Sequence, residues 1–287
     1  MRFARLVVTA IDKYWLQAAV TEFCGFGSSV IQCDAEVGLE RWLETSETDD
    51  GRPGAALLIF GFDDTKLTKS VQRRTGQCLM TCPTTAVFDG MPDTETRAPL
   101  GQHLRFFGDG FQKSKVINER RFWRIPVMDG EFLIEDQIGI AAGIGGGNFL
   151  VQSVDQTSGL AAVRRSTEVI SKLPGVITPF PAGVVRSGSK VGSKYEGLIA
   201  STADRFCPSL RGRVESAIHP AAHCVYEIVI DGESFNHIAE AMAQGIQAAA
   251  APEVPQISAG NYGGKLGKHH FHLRQISSDK NAINKES

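Results

Sequence analysis

A chain of 287 residues can bury a sizeable core, as one large or two modest domains. Its 42% hydrophobic and 22% charged residues are ordinary for a globular protein, and a formal net charge of −2 with a pI of about 6.4 argues against a nucleic-acid partner. No apolar run approaches the roughly 18 residues of a membrane span, and the opening LVVTAI is too short for a signal-peptide core. A cytoplasmic chain is therefore expected, with no membrane partner and with its six cysteines as buried free thiols.

In chain order, Leu6–Ile11 reads as a strand, and Asp12 is placed to N-cap a helix over KYWLQAAVTEF. Gly25 and Gly27 end that helix, SSVIQC (28–33) reads as the second strand, and the turn-rich TSETDDGRPG follows. AALLIF, the helically spaced DDTKLTKSVQRRTGQCLM and TTAVFD complete a second β-α-β unit. Residues 97–147 carry LRFFGDGF, RFWRIPVM and GEFLIEDQI, which predict a small β extension with turns at Gly108–Gly110 and Asp129-Gly130.

The same order then recurs. NFLVQS is a strand, DQTSGLAAVRRSTEVISKL an amphipathic helix stopped by Pro174-Gly175, and VITPF the returning strand. HCVYEIVI, SFNHIAEAMAQGIQAAA and PQISAG give strand, helix and closing strand. Two successive β-α-β-β-α-β units predict an α+β fold of two ferredoxin-like lobes, residues 1–147 with the extension and residues 148–276, followed by a polar tail at 277–287.

Few chemical signatures survive inspection. GIGGGN (143–148) lacks the last glycine of G-x-G-x-x-G and precedes a strand, so it predicts a flexible turn with exposed backbone N–H groups rather than a nucleotide site. KHHFHL (268–273), read as a strand, puts His270 and His272 on one face, but no third metal ligand is identifiable and exposed histidines are expected. G-x-S-x-G, P-loop and H-E-x-x-H signatures are absent.

HCVYEIVI (223–230) stands apart. Alternation puts Cys224, Tyr226, Ile228 and Ile230 on one face and His223, Val225, Glu227 and Val229 on the other. Two readings of Glu227 stay open: a desolvated acid that keeps a proton to donate near neutrality, or an edge-strand carboxylate in water or an ion pair. Glu131 and Glu135 lie near turns and are expected on a solvated face. FPAGVVRSGSKVGSKY (180–195) combines small residues and cations with no acid, a composition suited to an anion. An exposed basic loop at a subunit contact would have the same composition.

Taken together, TEFCGFGSSVI, DGRPG, GQCLMTCPTTAVFD, LRFFGDGF, GEFLIED, GGNF, FPAGVVRSGSKVGSKY, CVYEIVI and ISAGNYGGKLG resemble the formylmethanofuran:tetrahydromethanopterin formyltransferases from about Phe3 to His272. The resemblance implies a two-lobed ferredoxin-like fold in a homo-oligomer, commonly a tetramer. It implies reversible formyl transfer between the amine of a methanofuran-type carrier and N5 of tetrahydromethanopterin, both cosubstrates, with no metal or prosthetic group. The family's proposed catalytic glutamate, in C-V-Y-E-I-V, falls on Glu227. The carriers' anionic tails make Arg186, Lys190 and Lys194 candidate anchors, with Ser187, Ser189 and Ser193 as hydrogen-bond donors. Gly146, Gly147 and Asn148, with Phe107 and Asp109, are candidates for lining the cleft or supplying backbone donors.

The near-balanced charge departs from the strongly acidic members of salt-rich hyperthermophiles, and the chain opens close to its first strand where the family carries a further short segment. Bacterial formaldehyde oxidation, with hydrolase-complex subunits as partners, fits those departures better than methanogenesis. The rival reading is a catalytically silent carrier-binding or scaffold subunit of such a complex.

Overall fold

The computed structural model describes residues 1–260 and 269–278. The chain forms two compact units, Met1–Gly145 and Gly146–Ser287, each mixing helices with mainly antiparallel strands. The elements of the first unit are β1 (Arg2–Thr9), α1 (Lys13–Cys24), β2 (Glu36–Leu43), β3 (Gly54–Gly61), α2 (Asp64–Arg74), β4 (Ala86–Asp89), β5 (Arg97–Pro99), α3 (Gly101–Leu104), β6 (Lys113–Ile117), β7 (Arg120–Val127), β8 (Gly130–Glu135), β9 (Gln137–Gly139) and β10 (Ala141–Ala142). β11 (Ile144–Ser153) opens the second unit, followed by α4 (Gln156–Ile170), β12 (Val176–Ile177), β13 (Ser189–Val191), β14 (Ala200–Thr202), β15 (Cys224–Gly232), α5 (Phe235–Ala249), β16 (Gln256–Ser258) and α6 (Leu273–Ser278).

The first sheet runs β2-β3-β1-β4-β8-β7-β6, with β10 beside β1; the second runs β12-β15-β11-β16. Within each β-α-β-β-α-β run, the first and third strands are central and the second and fourth flank them, so the repeated element order becomes a repeated strand order.

Each of the four main helices begins on a side-chain cap. Asp12, Asp63, Asp155 and Ser234 accept the N–H of Trp15, Lys66, Ser158 and His237, satisfying a donor that the first turn leaves open. Leu16, Ala19, Val20 and Phe23 of α1 and Leu67 and Val71 of α2 pack on the alternate residues Ala4, Leu6 and Val8 of β1 and Ala55, Leu57 and Ile59 of β3. Arg74, itself buried, donates to the carbonyls of Phe23, Gly25 and Phe26 and to both oxygens of Asp34, fixing the turn after α1.

Several local expectations change. SSVIQC is a turn, and β2 begins after it at Glu36; Val30 and Ile31 are adjacent, so a strand there would send them to opposite faces and give neither face an apolar row. LRFFGDGF is helical up to Gly108, where Asp109 turns the chain with φ 48°. GIGGGN lies almost wholly in β11 rather than in a turn. The cysteines are free thiols, but only Cys224 is fully buried; burial pushes the Cys24 thiol up to about 12, against the pull of Arg74 and with Cys78 adding to it.

Glu131 is exposed and bonds Arg124, as a solvated face predicts. Glu135 is instead 3% exposed, gripped by Arg120 at 2.5 and 2.9 Å and by the Asp89 N–H at 2.7 Å. A cation and a backbone donor offset the cost of removing that carboxylate from water. KHHFHL is not a strand: His269, His270 and His272 sit in irregular chain before α6, and Phe271 stacks on Phe235 of α5 at 4.5 Å between ring centroids. Lys268, most of GNYGGKLG and most of the expected polar tail lie outside the described residues.

Candidate active site

The second sheet has a helix-packed face and an opposite face covered by connecting chain. A methyl at Gly159 of α4 would meet Tyr226, one at Gly245 of α5 would meet Phe149, and one at Gly232 would meet Ile238 of α5, so Tyr226, Phe149 and Gly232 face the helices. Alternation sends their neighbours to the other side. That side carries Glu227 and Asp231 from β15 and Asn148 and Gln152 from β11, all buried.

Buried polar groups require partners, and the long connection between β12 and β15 supplies several. Gln152 accepts the His219 N–H at 2.7 Å and donates to the Ala217 carbonyl at 3.2 Å. Asn148 accepts the Gly260 N–H at 2.8 Å, and Asp231 accepts the Gly146 N–H at 2.9 Å.

Glu227 is 6% exposed, which excludes the edge-strand carboxylate in open water. Its N–H donates to the Val185 carbonyl at 3.0 Å and its carbonyl accepts the Val185 N–H at 2.8 Å, so residue 185 extends the sheet where β12 has stopped. The chain between Ile177 and Val185 is longer than the strand opposite needs, and the surplus bulges out as the turn Pro181–Gly183. Past Val185 the backbone crosses the carboxyl itself: a Cβ on Gly188 would stand 3.2 Å from Glu227 Oε2.

The anion-suited loop is therefore partly ordered as a hairpin. Ser189 and Lys190 lie in β13, paired with Thr202 and Ser201 of β14. Lys190 is ion-paired with Asp204, whose carboxyl that lysine holds below its usual range despite opposing desolvation. Ser193 accepts the Tyr195 N–H at 3.0 Å in the hairpin tip, and Lys194 is exposed beside it. Arg186 and Ser187 are exposed on the bend between Val185 and Gly188. Burial pushes the Tyr226 phenol up, Cys224 adds to this, and the positive charge of Arg186 pulls the other way.

Gly146 and Gly147 have structural work of their own. Gly146 sits at φ +83° and binds Asp231; at Gly147 a Cβ would overlap Ile238. Phe107 and Asp109 belong to the first unit, in the helical turn and bend that lead to β6; Phe107 is 65% exposed. Gly188 and Asp231 are site residues beyond the candidates that the sequence offers. Period-2 counting from Glu227 would have marked Asp231, whereas nothing local distinguishes Gly188 from the other glycines of its loop.

A buried carboxyl on a rigid strand, beneath a loop bearing Arg186 and close to a hairpin bearing Lys194, suits proton transfer next to an anionic ligand. Residues 1–127 match the formylmethanofuran-tetrahydromethanopterin formyltransferase family, and residues 130–276 match the proximal lobe of the same family. The chain belongs to this family.

The formyltransferase of Methylobacillus flagellatus is 51% identical, with 96% of this chain and 94% of the relative covered. That of Methylococcus capsulatus is also 51% identical, with the same coverage. Among solved structures, the formyltransferase of Methanosarcina barkeri superposes with a TM-score of 0.91 at 46% identity, over 96% of this chain and 94% of that one. A chain of the formyltransferase/hydrolase complex of Methylorubrum extorquens, solved with methylofuran, gives 0.93 at 43% identity, over 96% and 92%.

Proposed function

We propose that this formyltransferase-family chain moves a formyl group between the amine of a methanofuran-type carrier and N5 of tetrahydromethanopterin, with Glu227 as general acid and base. N5 attacks the formamide carbon, the carbonyl electrons move to oxygen, and a tetrahedral intermediate forms. Its collapse breaks the bond to the carrier nitrogen, which must leave as an amine and therefore needs a proton. Glu227, protonated, gives that proton, and the carboxylate it becomes takes the one lost from N5. Atoms and charge balance, and the residue returns to its starting state.

The observation that carries this reading is the near-complete burial of Glu227 on a strand, clamped at both backbone positions by Val185. Exclusion of water makes a carboxyl hold its proton more tightly, and a fixed backbone keeps it aimed. In this reading Arg186 and Lys194, both exposed cations, hold the carriers' anionic tails.

We further read each unit as a ferredoxin-like lobe, on the strand order the two sheets share. The active form is a cytoplasmic homo-oligomer, with a tetramer favoured, and subunits of a hydrolase complex are candidate partners. The methylofuran-bound relative supports that last reading.

The purified chain, given formylmethanofuran and tetrahydromethanopterin, should produce N5-formyl-tetrahydromethanopterin in a spectrophotometric assay. Absence of product both alone and with hydrolase-complex subunits would sink the proposal.

A further inference from the structure

Gly188 is a glycine without a conformational reason to be one. Its φ lies outside the left-handed region that other residues avoid, so its backbone is open to any side chain. Space is what it lacks. A Cβ there would meet Glu227 Oε2 at 3.2 Å, with Ala203 Cβ next at an ordinary 3.7 Å.

The backbone has little room to retreat. Three residues earlier, Val185 exchanges two hydrogen bonds with Glu227, and the Gly188 carbonyl accepts the Ala203 N–H at 2.8 Å. One residue later the chain enters β13, where Ser189 pairs with Thr202. With residues 185 and 188–189 tied on both sides, a new methyl group can be accommodated chiefly by moving the carboxyl tip of Glu227.

We infer that Gly188 is a size-selected positioning residue, whose missing side chain gives Glu227 Oε2 room at the position from which it serves the nitrogen that departs from the formyl carbon. This rests on the acid/base reading of Glu227 and adds the residue that aims it. Proton transfer demands heavy atoms within about 3.2 Å, and a misplacement of about 1 Å costs on the order of 100-fold, so a displacement of a few tenths of an ångström is already felt.

The test is a size series at residue 188, assayed by steady-state formyl transfer with both carriers varied. Gly188→Ala should lower kcat by about 10-fold and Gly188→Val by about 100-fold or more, each with Michaelis constants close to wild type and an unchanged melting temperature for the alanine variant. Rescue separates positioning from general damage. Glu227→Asp draws the carboxyl back by one methylene, so Gly188→Ala combined with Glu227→Asp should lose much less than the product of the two single losses.

A Gly188→Ala enzyme with wild-type kcat, beside an inactive Glu227→Gln, would overturn this inference alone. Multiplicative losses in the double variant, or a fall in kcat matched by a fall in melting temperature, would also overturn it. Wild-type turnover by Glu227→Gln would remove the acid/base reading, and this inference with it.

Discussion

Val185 and Glu227 face each other as an isolated antiparallel pair, exchanging hydrogen bonds of 2.8 and 3.0 Å beyond the end of β12. The main chain of the candidate acid is thus held independently of its side chain. Glu227→Gln, which keeps the shape and removes the transferable proton, should leave the fold and the Michaelis constants nearly unchanged. It should lower kcat by about 100- to 10,000-fold, the usual worth of general acid–base catalysis. Steady-state kinetics with both carriers is the check, and an active glutamine variant would refute the role.

Lys190 and Lys194 should behave differently although both were expected to anchor an anionic tail. Lys190 already neutralises Asp204, whereas Lys194 is exposed on the hairpin tip. Lys194→Ala should raise the Michaelis constant of the anionic carrier several-fold at low salt, with the difference shrinking as salt screens the charge. Lys190→Ala should have a weaker effect on that constant and little effect on stability, as expected for a pair in contact with solvent. A salt series of Michaelis constants for both variants decides; equal effects would contradict the pairing.

The packing of α5 on β11 and β15 depends on two glycines under one isoleucine. At Gly147 an added methyl overlaps Ile238 Cγ2, and at Gly232 it would stand 2.8 Å from Ile238 Cγ1. Gly147→Ala should therefore destabilise by about 1–3 kcal/mol, the range for overpacking a core. Combining it with Ile238→Ala should recover part of that loss relative to Ile238→Ala alone. Urea unfolding followed by circular dichroism measures both; a Gly147→Ala protein as stable as wild type would show that the helix can shift freely.

Acid should weaken the turn after α1. Burial pushes the Asp34 carboxyl upward, but the guanidinium of Arg74 outweighs it and leaves Asp34 below its usual 3.8. A carboxyl whose folded value is depressed contributes stability above its unfolded value, and that stability is lost as pH falls through the folded one. The stability gap between wild type and Asp34→Asn should be constant above about pH 5 and close below the ordinary carboxyl range. Denaturant melts across that range test the sign, and a gap that widens in acid would reverse it.

Much of the architecture was legible in the chain because short-range chemistry specifies it. Asp12 before an apolar helix face, alternation in Leu6–Ile11 and Pro174-Gly175 after a helix are local signals, and their recurrence gave the repeated element order. Alternation also singled out Glu227, a carboxyl between two valines on one face of an apolar strand, but left open whether it was desolvated or at a solvated edge. Local chemistry could not decide between turn and strand where glycines cluster. GIGGGN became a strand because Asp231 and Ile238, far along the chain, take up its backbone and fill the space its missing side chains leave.

Nor could local chemistry tell a solvated glutamate from a buried one. Glu135 is buried because Arg120 and the Asp89 N–H converge on it from other strands. Pairing of Lys190 with Asp204, the clamp of Val185 on Glu227 and the closeness of Gly188 to Oε2 likewise belong to the tertiary fold. A residue type carries its own preferences, but the neighbours that desolvate, pair or crowd it are fixed only when distant segments meet.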